Sequence, residues 1–339
     1  MKHPTILSLF IVILFTACSP AVTPALTPVA TAEPSPASQT PSPEMDIDFG
    51  PTLAPAFGSY EEWLADFEYD SNAPLNIQEN GLEERKTFSI HDIQFDSPVN
   101  GKVSAYLFTP IGEGPFPAVL FVHWYGRPHN DRLEFFEEAT LLAREGVVSL
   151  LVNDLFAGPD MIHARHWTGI NAEEDRQIVI QQVIELRRSI DVLKAQPQVD
   201  PQRIGYVGHD FGGMFGAVLA GVDHRIKTYV FMTVTPNFTD WFLLLSGGAS
   251  NSYHSLLLTV NPVAYIPHAA PASVFFQFAK NDSYVPTYAA NLFFNAASEP
   301  KRIEWYQNDH TSDPHDLQYN AQATQDRHNW LVQELGIGK

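Results

Sequence analysis

A single cysteine stands in the 339 residues of the chain. One thiol cannot form an intrachain disulfide, and metal sites built on several thiolates are excluded by the same count. Cations are also scarce, with 20 Lys and Arg against 39 Asp and Glu, for a net charge of −19. Between Glu33 and Glu84 there are twelve acidic residues and no Lys or Arg. Such a balance argues against a nucleic-acid partner, and the acidic stretch should stand off from an anionic membrane surface. The apolar run near the N-terminus, Ile6 to Ala17, is too short to span a bilayer and remain there.

Lys2 and His3 precede that run and Cys18 ends it, which is the order of a secretory signal. Phe15-Thr16-Ala17-Cys18 resembles the lipobox of bacterial lipoproteins, in which the cysteine is acylated and becomes the new N-terminus. Phe15 departs from the usual Leu, although Leu14 lies one residue earlier. The resemblance implies a signal peptide over residues 1–18, export, and attachment to the extracytoplasmic face of the membrane through Cys18. From Ser19 to about Gly58 the chain holds nine prolines and many Ala, Thr and Ser without apolar periodicity. That composition predicts an extended tether, with a single folded domain over residues 59–339.

In the folded part, Thr87 to Phe95 and Lys102 to Thr109 read as two strands joined by a turn at Asn100-Gly101. Continuous apolar runs follow at Ala118–Val122, Val147–Val152, Ile204–Val207, Tyr229–Val234, Ser273–Phe278 and Arg302–Tyr306. Runs of this kind, rather than alternating ones, predict parallel strands covered on both faces. A helix is expected from Ala172 to Ala195, capped by Asn171 and closed by Pro197, because Val179, Val183, Leu186, Ile190 and Leu193 form one stripe. Others are expected over Arg132–Arg144 and Ala321–Leu335. A hairpin leading into β-α repeats predicts an α/β architecture: a mostly parallel, eight-stranded sheet with helices on both faces and ligands at the carboxyl ends of its strands.

The segment Gly208-His209-Asp210-Phe211-Gly212-Gly213 follows the strand Ile204–Val207 and leads into a small-residue helix, Met214 to Gly221. Its Gly-x-Asp-x-Gly-Gly pattern in that setting is a nucleophile elbow, whose central residue sits in a strained turn flanked by glycines. From about Ser59 to Gly336 the chain resembles the dienelactone-hydrolase-like branch of the α/β-hydrolases, through Pro117–His123, the segment Val199-Asp200-Pro201-Gln202-Arg203-Ile204, and Asp282 to Val285. The elbow itself resembles those of epoxide hydrolases and haloalkane dehalogenases. Both resemblances imply the α/β-hydrolase fold, here with a small cap of about 38 residues, Thr235 to Ala272.

The residues must decide the chemistry. A carboxylate nucleophile needs no base to activate it and forms an alkyl ester when it attacks saturated carbon. Attack on an ester carbonyl is less productive, since the tetrahedral intermediate expels the carboxylate sooner than an alkoxide. The resemblance places the orienting acid after the seventh strand, where Asp282 stands; Asp240 is a weaker alternative and Asn-Asp-Ser is also ordinary turn chemistry. His310, four residues past the last strand, is preferred as the base over His315. Backbone N–H groups of Phe211 and Trp124 are the expected oxyanion donors, and His123 is expected to pack or hydrogen-bond at its strand end. Trp241, Phe242 and Tyr253 are candidate pocket walls, while Tyr253 and Tyr265 are the tyrosines on offer for opening an epoxide. The expected function is an exported hydrolase of a small-molecule substrate, with no metal or organic cofactor. A tethered binding protein lacking turnover, or a carboxylic-ester hydrolase, is the alternative.

Overall fold

The computed structural model describes residues 58–124, 131–157, 170–244, 246–310 and 320–338. Cys18, the tether up to residue 57, and His315 lie outside the described residues.

Among the described residues nine strands form one sheet: β1 (Gln78–Glu84), β2 (Phe88–Asp96), β3 (Lys102–Pro110), β4 (Phe116–Val122), β5 (Val148–Val152), β6 (Val199–His209), β7 (Thr228–Met232), β8 (Ser273–Ala279) and β9 (Lys301–Tyr306). Their order is β1-β2-β3-β5-β4-β6-β7-β8-β9. The first three run antiparallel and β3 joins β5 antiparallel. From β5 through β9 every neighbouring pair is parallel. The expected count of eight is therefore one short, and β1 is the strand the sequence conceals. Every residue of Gln-Glu-Asn-Gly-Leu-Glu-Glu is exposed, so no apolar alternation marks it. Backbone pairing with β2 alone makes it a strand.

The buried strands show why continuous apolar runs were needed. Along β4, Ala118, Leu120 and Val122 enter the core on one face of the sheet, while Val119 and Phe121 enter the other. Successive side chains of a strand point to opposite faces, and here neither face meets water. One face is covered by α3 (Ala172–Lys194), α4 (Phe211–Val222) and α8 (Thr287–Ala296), the other by α2 (Phe136–Arg144) and α9 (Ala321–Leu335). A fully buried side chain such as Phe276 of β8 contributes about 2–3 kcal/mol through the apolar area it removes from water.

The helix expectations hold at α9 and at α3, whose N-cap Asn171 side chain accepts from the Glu174 N–H at 3.3 Å. The helix expected from Arg132 begins at Phe136 instead. Arg132 is held in the preceding turn, donating its N–H to Asn153 Oδ1 at 2.9 Å and its guanidinium to Asp92 at 2.8 Å and 3.2 Å. Glu134, two residues on, turns inward and is buried. Four short segments between β7 and β8 form the cap: α5 (Thr239–Phe242), α6 (Asn251–Leu258), α7 (Pro262–Tyr265) and a 3-10 turn at Ile266–His268.

Candidate active site

Strand β6 carries Gly208 and His209 straight to Asp210, which has φ 49° and ψ −115° before α4 begins at Phe211. A non-glycine residue with positive φ costs on the order of 1–3 kcal/mol and persists only where its surroundings enforce it. Asp210 donates its N–H to Met232 O at 2.9 Å and accepts from the Met214 N–H at 2.9 Å, so β7 and α4 fix it from both sides. The flanking glycines are steric requirements. A Cβ on Gly208 would sit 2.6 Å from the Gly212 carbonyl, and one on Gly212 would strike the backbone of Val122 and His123. The turn thus closes only because three backbones share that space.

The carboxyl ends of β8 and β9 bring the partners. Asn281 donates its N–H to Asn308 O at 3.0 Å, tying the two following loops together. Across that tie His310 Nδ1 lies 2.8 Å from Asp282 Oδ2, and both side chains are 1 % exposed. The other oxygen of Asp282 accepts the N–H groups of Tyr284 and Val285, each at 2.8 Å. The turn role and the orienting role are therefore filled by one carboxylate, each by its own oxygen. His310 Nε2 faces Asp210 Oδ2 at 4.0 Å. That is an ion-pair separation rather than a direct hydrogen bond. His310 is thus the described histidine that reaches both Asp210 and Asp282. Asp240, the weaker alternative, is exposed on α5, and it is Asp282 that meets His310.

Burial opposes a charged His310, but the flanking carboxylates, Asp210 and then Asp282, outweigh it and hold the imidazole up to about 9. At neutral pH that places the resting imidazole of His310 in its charged form. Removing the charge of Asp210 while keeping its shape should lower that value. We expect NMR titration of the His310 ring in Asp210→Asn to show a clear fall from the wild-type midpoint. The same ionisation feeds stability. Because the folded value is raised, its contribution is full below the unfolded value near 6.5 and is lost as pH rises through about 9. Wild type should therefore lose more stability across that window than Asp210→Asn does. Equal midpoints in the two proteins would show that the carboxylate does not sustain the imidazolium.

The oxyanion expectation for Trp124 is corrected by the structure. Its backbone N–H donates to Glu134 Oε2 at 2.7 Å, so that donor is already engaged. Oε1 of Glu134 lies 2.6 Å from Nδ1 of His209, the residue directly before the nucleophile. Desolvation pushes the Glu134 carboxyl well above its usual range, and the nearby Asp210 charge adds to the rise. His123 has the role expected of it: Nδ1 donates to Trp124 O at 2.8 Å and Nε2 accepts from the Asp154 N–H at 3.0 Å. Phe211 opens α4 immediately after the nucleophile, with its ring buried among Phe156, Phe215, Phe238, Trp241 and Phe242.

The dienelactone hydrolase family model matches residues 103–336, an interval that contains the elbow, Asp282 and His310. The chain belongs to the dienelactone hydrolase family. Among curated relatives it is 25 % identical over 172 residues to the putative hydrolase YtaP of Bacillus subtilis, covering 46 % of this chain and 56 % of that protein. It is 28 % identical over 226 residues to the quorum-quenching protein AidA of Acinetobacter baumannii, covering 60 % of this chain and 69 % of that one. The YtaP match thus spans little more than half of that relative's length. Among solved structures, an acetyl xylan esterase from Paenibacillus sp. R4 superposes with a TM-score of 0.66 at 18 % identity, covering 85 % of this chain and 98 % of that one. Acetyl xylan esterase 1 from Thermoanaerobacterium superposes at 0.64 and 16 % identity, covering 83 % and 95 %. At such identities the superpositions establish the α/β-hydrolase fold. The hydrolase family's typical triad is built on serine, whereas this chain presents Asp210 at the elbow.

Within this family member the cap supplies one wall of the site. The Trp241 ring lies 5.2 Å from His310 and 6.0 Å from Phe211, and stacks on Tyr284 at 5.6 Å. Of the other proposed walls, Phe242 is core beneath Phe211, and the Tyr253 hydroxyl is buried on Asp175 at 2.6 Å. Tyr265 donates to Thr259 O at 2.5 Å. Both phenols named as candidates for epoxide opening are thus committed elsewhere. Two site residues escape sequence reasoning. Glu134 sits in Leu133-Glu134-Phe135-Phe136-Glu137-Glu138, where an acid looks like helix surface. Tyr284, 44 % exposed at the mouth, was hidden inside a turn segment.

Proposed function

We propose that this protein is a hydrolase that works through a covalent ester on Asp210, cleared by water that His310 activates. The observation that carries the reading is the alignment of an ionisable nucleophile, an imidazole and an orienting carboxylate across 4.0 Å and 2.8 Å in a strained elbow. In the first half-reaction an Asp210 oxygen bonds to a saturated carbon, and the leaving group departs with the bonding electrons. No proton moves. The ester removes the charge of Asp210, which lowers the proton affinity of His310 and makes the neutral base available. In the second, water gives a proton to His310 Nε2 and its oxygen adds to the Asp210 carboxyl carbon. The alkoxide then leaves the acyl carbon and takes the proton back, and one water oxygen stays in the carboxylate.

Turnover in isotopically enriched water tests this directly. Mass spectrometry of the Asp210 peptide should show heavy oxygen incorporated; an unlabelled peptide after many turnovers would sink the ester cycle. Location belongs to the same proposal: the enzyme is exported and held at the extracytoplasmic membrane face by acylated Cys18, with residues 19–58 as tether. The mature chain should begin at Cys18 and fractionate with membranes, and Cys18→Ala should release it or stall processing. A soluble mature chain that starts downstream of Cys18 would refute the anchor.

A further inference from the structure

Away from the elbow, a recess of about 340 Å³ lies between α2 and the turn that joins β1 to β2. Small-molecule sites run from roughly 300 to 1,000 Å³, so the space suits a small ligand. Acids outnumber bases 39 to 20 in this chain, yet three cations converge here: Arg85 and Lys86 from the turn and Arg144 from the last turn of α2. Arg85 is paired with Glu83 at 2.5 Å. Lys86 and Arg144 make no hydrogen bond or ion pair among the described residues, and every other described arginine makes at least one. The hydroxyls of Thr87 and Thr140, which also line the recess, have no partner among the described residues either. Gathering like charges costs free energy unless an anion balances them. The recess is thus a set of converging donors, cationic and hydroxyl, that the protein itself does not satisfy. It is separate from the catalytic centre. Arg144 precedes the amino end of β5, whereas Asp210, Asp282 and His310 follow the carboxyl ends of β6, β8 and β9.

We infer that the recess binds a small phosphate monoester, with the tetrahedral oxyanion on Arg144 and Lys86 and the organic part against Phe136. Two cations without a counter-charge match a dianion, whereas a monocarboxylate would leave one of them unbalanced. A guanidinium presents parallel N–H donors that fit two oxygens of one phosphoryl group, and the threonine hydroxyls offer donors to a third. Phe136 supplies an apolar wall. It is half-buried on α2, with its ring edge-on to Phe108 at 5.1 Å and to Tyr106 at 6.0 Å. The carboxylate of Glu137 also lines the recess. Glu137 stands seven residues before Arg144 on α2, about 10 Å along the helix axis. One phosphoryl group can therefore meet the cations clear of it, while a second anionic group would be repelled. The site selects ligands charged at one end only. A soluble ester and the phosphomonoester head of a bilayer lipid share that chemistry.

Calorimetric titration of the purified full-length protein with phenyl phosphate tests this, independently of how Asp210 reacts. We expect saturable binding of one equivalent, weaker with inorganic phosphate, which lacks the organic part, and weaker again as salt rises. Lys86→Ala and Arg144→Ala should each weaken it about 5-fold, the scale of a solvent-exposed ion pair. Glu137→Gln should tighten it by removing a like charge. All three positions are exposed, so the circular dichroism of these variants should match wild type. Asp210→Ala should bind phenyl phosphate as wild type does. Vesicles of phosphatidylcholine with and without phosphatidic acid identify the source, in Cys18→Ala protein so that the anchor does not intervene. Binding to the doped vesicles that depends on Arg144 and is displaced by phenyl phosphate assigns the site a lipid head; no vesicle binding assigns it a soluble ester. The inference is overturned if phenyl phosphate shows no saturable binding or if binding survives Lys86→Ala/Arg144→Ala. It is equally overturned if binding is lost in Asp210→Ala, which would place the ligand in the catalytic cleft.

Discussion

Replacement of Asp210 by alanine should abolish turnover of every substrate the wild-type enzyme accepts, with a loss on the order of 10⁵–10⁶ in kcat, as for other excised nucleophiles. Nothing else described at the elbow can form the covalent intermediate: His310 faces the same space, but Asp282 is turned onto Nδ1 and Asp154 accepts from Phe156. Asp210→Ser should behave differently. It places a hydroxyl near the imidazole in the turn that serine esterases use, and a neutral side chain lets His310 act as a base at lower pH. Activity on alkyl electrophiles should vanish while activity on aryl and alkyl esters appears or rises. The gain should be small, because Glu134 still occupies the Trp124 N–H and leaves the acyl oxyanion short of a donor. Wild-type protein that cleaves carboxylic esters efficiently, at a rate Asp210→Ala retains, would show that the nucleophile lies elsewhere.

The second large effect belongs to His310→Gln. The first half-reaction asks nothing of the imidazole beyond its charge, whereas the second asks it to take a proton from water. General-base removal typically costs 10²–10⁴-fold. Alkylation should therefore proceed and hydrolysis should stall, so that intact-mass measurement finds one equivalent of adduct on Asp210. His315→Gln should turn over normally, since His310 already fills the position between Asp210 and Asp282. Adduct that accumulates with His315→Gln and clears normally with His310→Gln would reassign the base.

The parts of the molecule that were legible in its sequence are those with a local cause. The elbow could be read because its own turn crowds Gly208 against Gly212 and Gly213, although the need for Gly212 comes from the neighbouring strand end at Val122 and His123. The central strands could be read because a strand covered on both faces must be apolar throughout. Asp282 and His310 were legible as positions following particular strands, and the loops that hold them are tied through Asn281 and Asn308. What escaped depends on partners distant in sequence. β1 is a strand only by virtue of its pairing with β2. Glu134 reaches the site only because Arg132 is anchored to Asp92 and Asn153, which delays the helix and turns the next acid inward. Trp124 was assigned a donor role by its place after β4, and it is a carboxylate contributed ten residues later that claims the donor.

The exposed outer strand β1 also bears on how the protein behaves in crowded solution. Among the described residues it ends the sheet, so one row of its backbone groups has no neighbouring strand there. A bare edge is a template on which a second molecule can add its own. Here the edge carries Glu79, Glu83 and Glu84, and its register is interrupted between Glu79 and Gly81. Two such edges meeting at neutral pH would bring like charges into contact along a bent and mismatched seam. His91 of β2 lies 2.6 Å from Glu79 and holds that carboxylate at the edge. The carboxylates thus act as a colloidal barrier that keeps neighbouring molecules from stitching their sheets together.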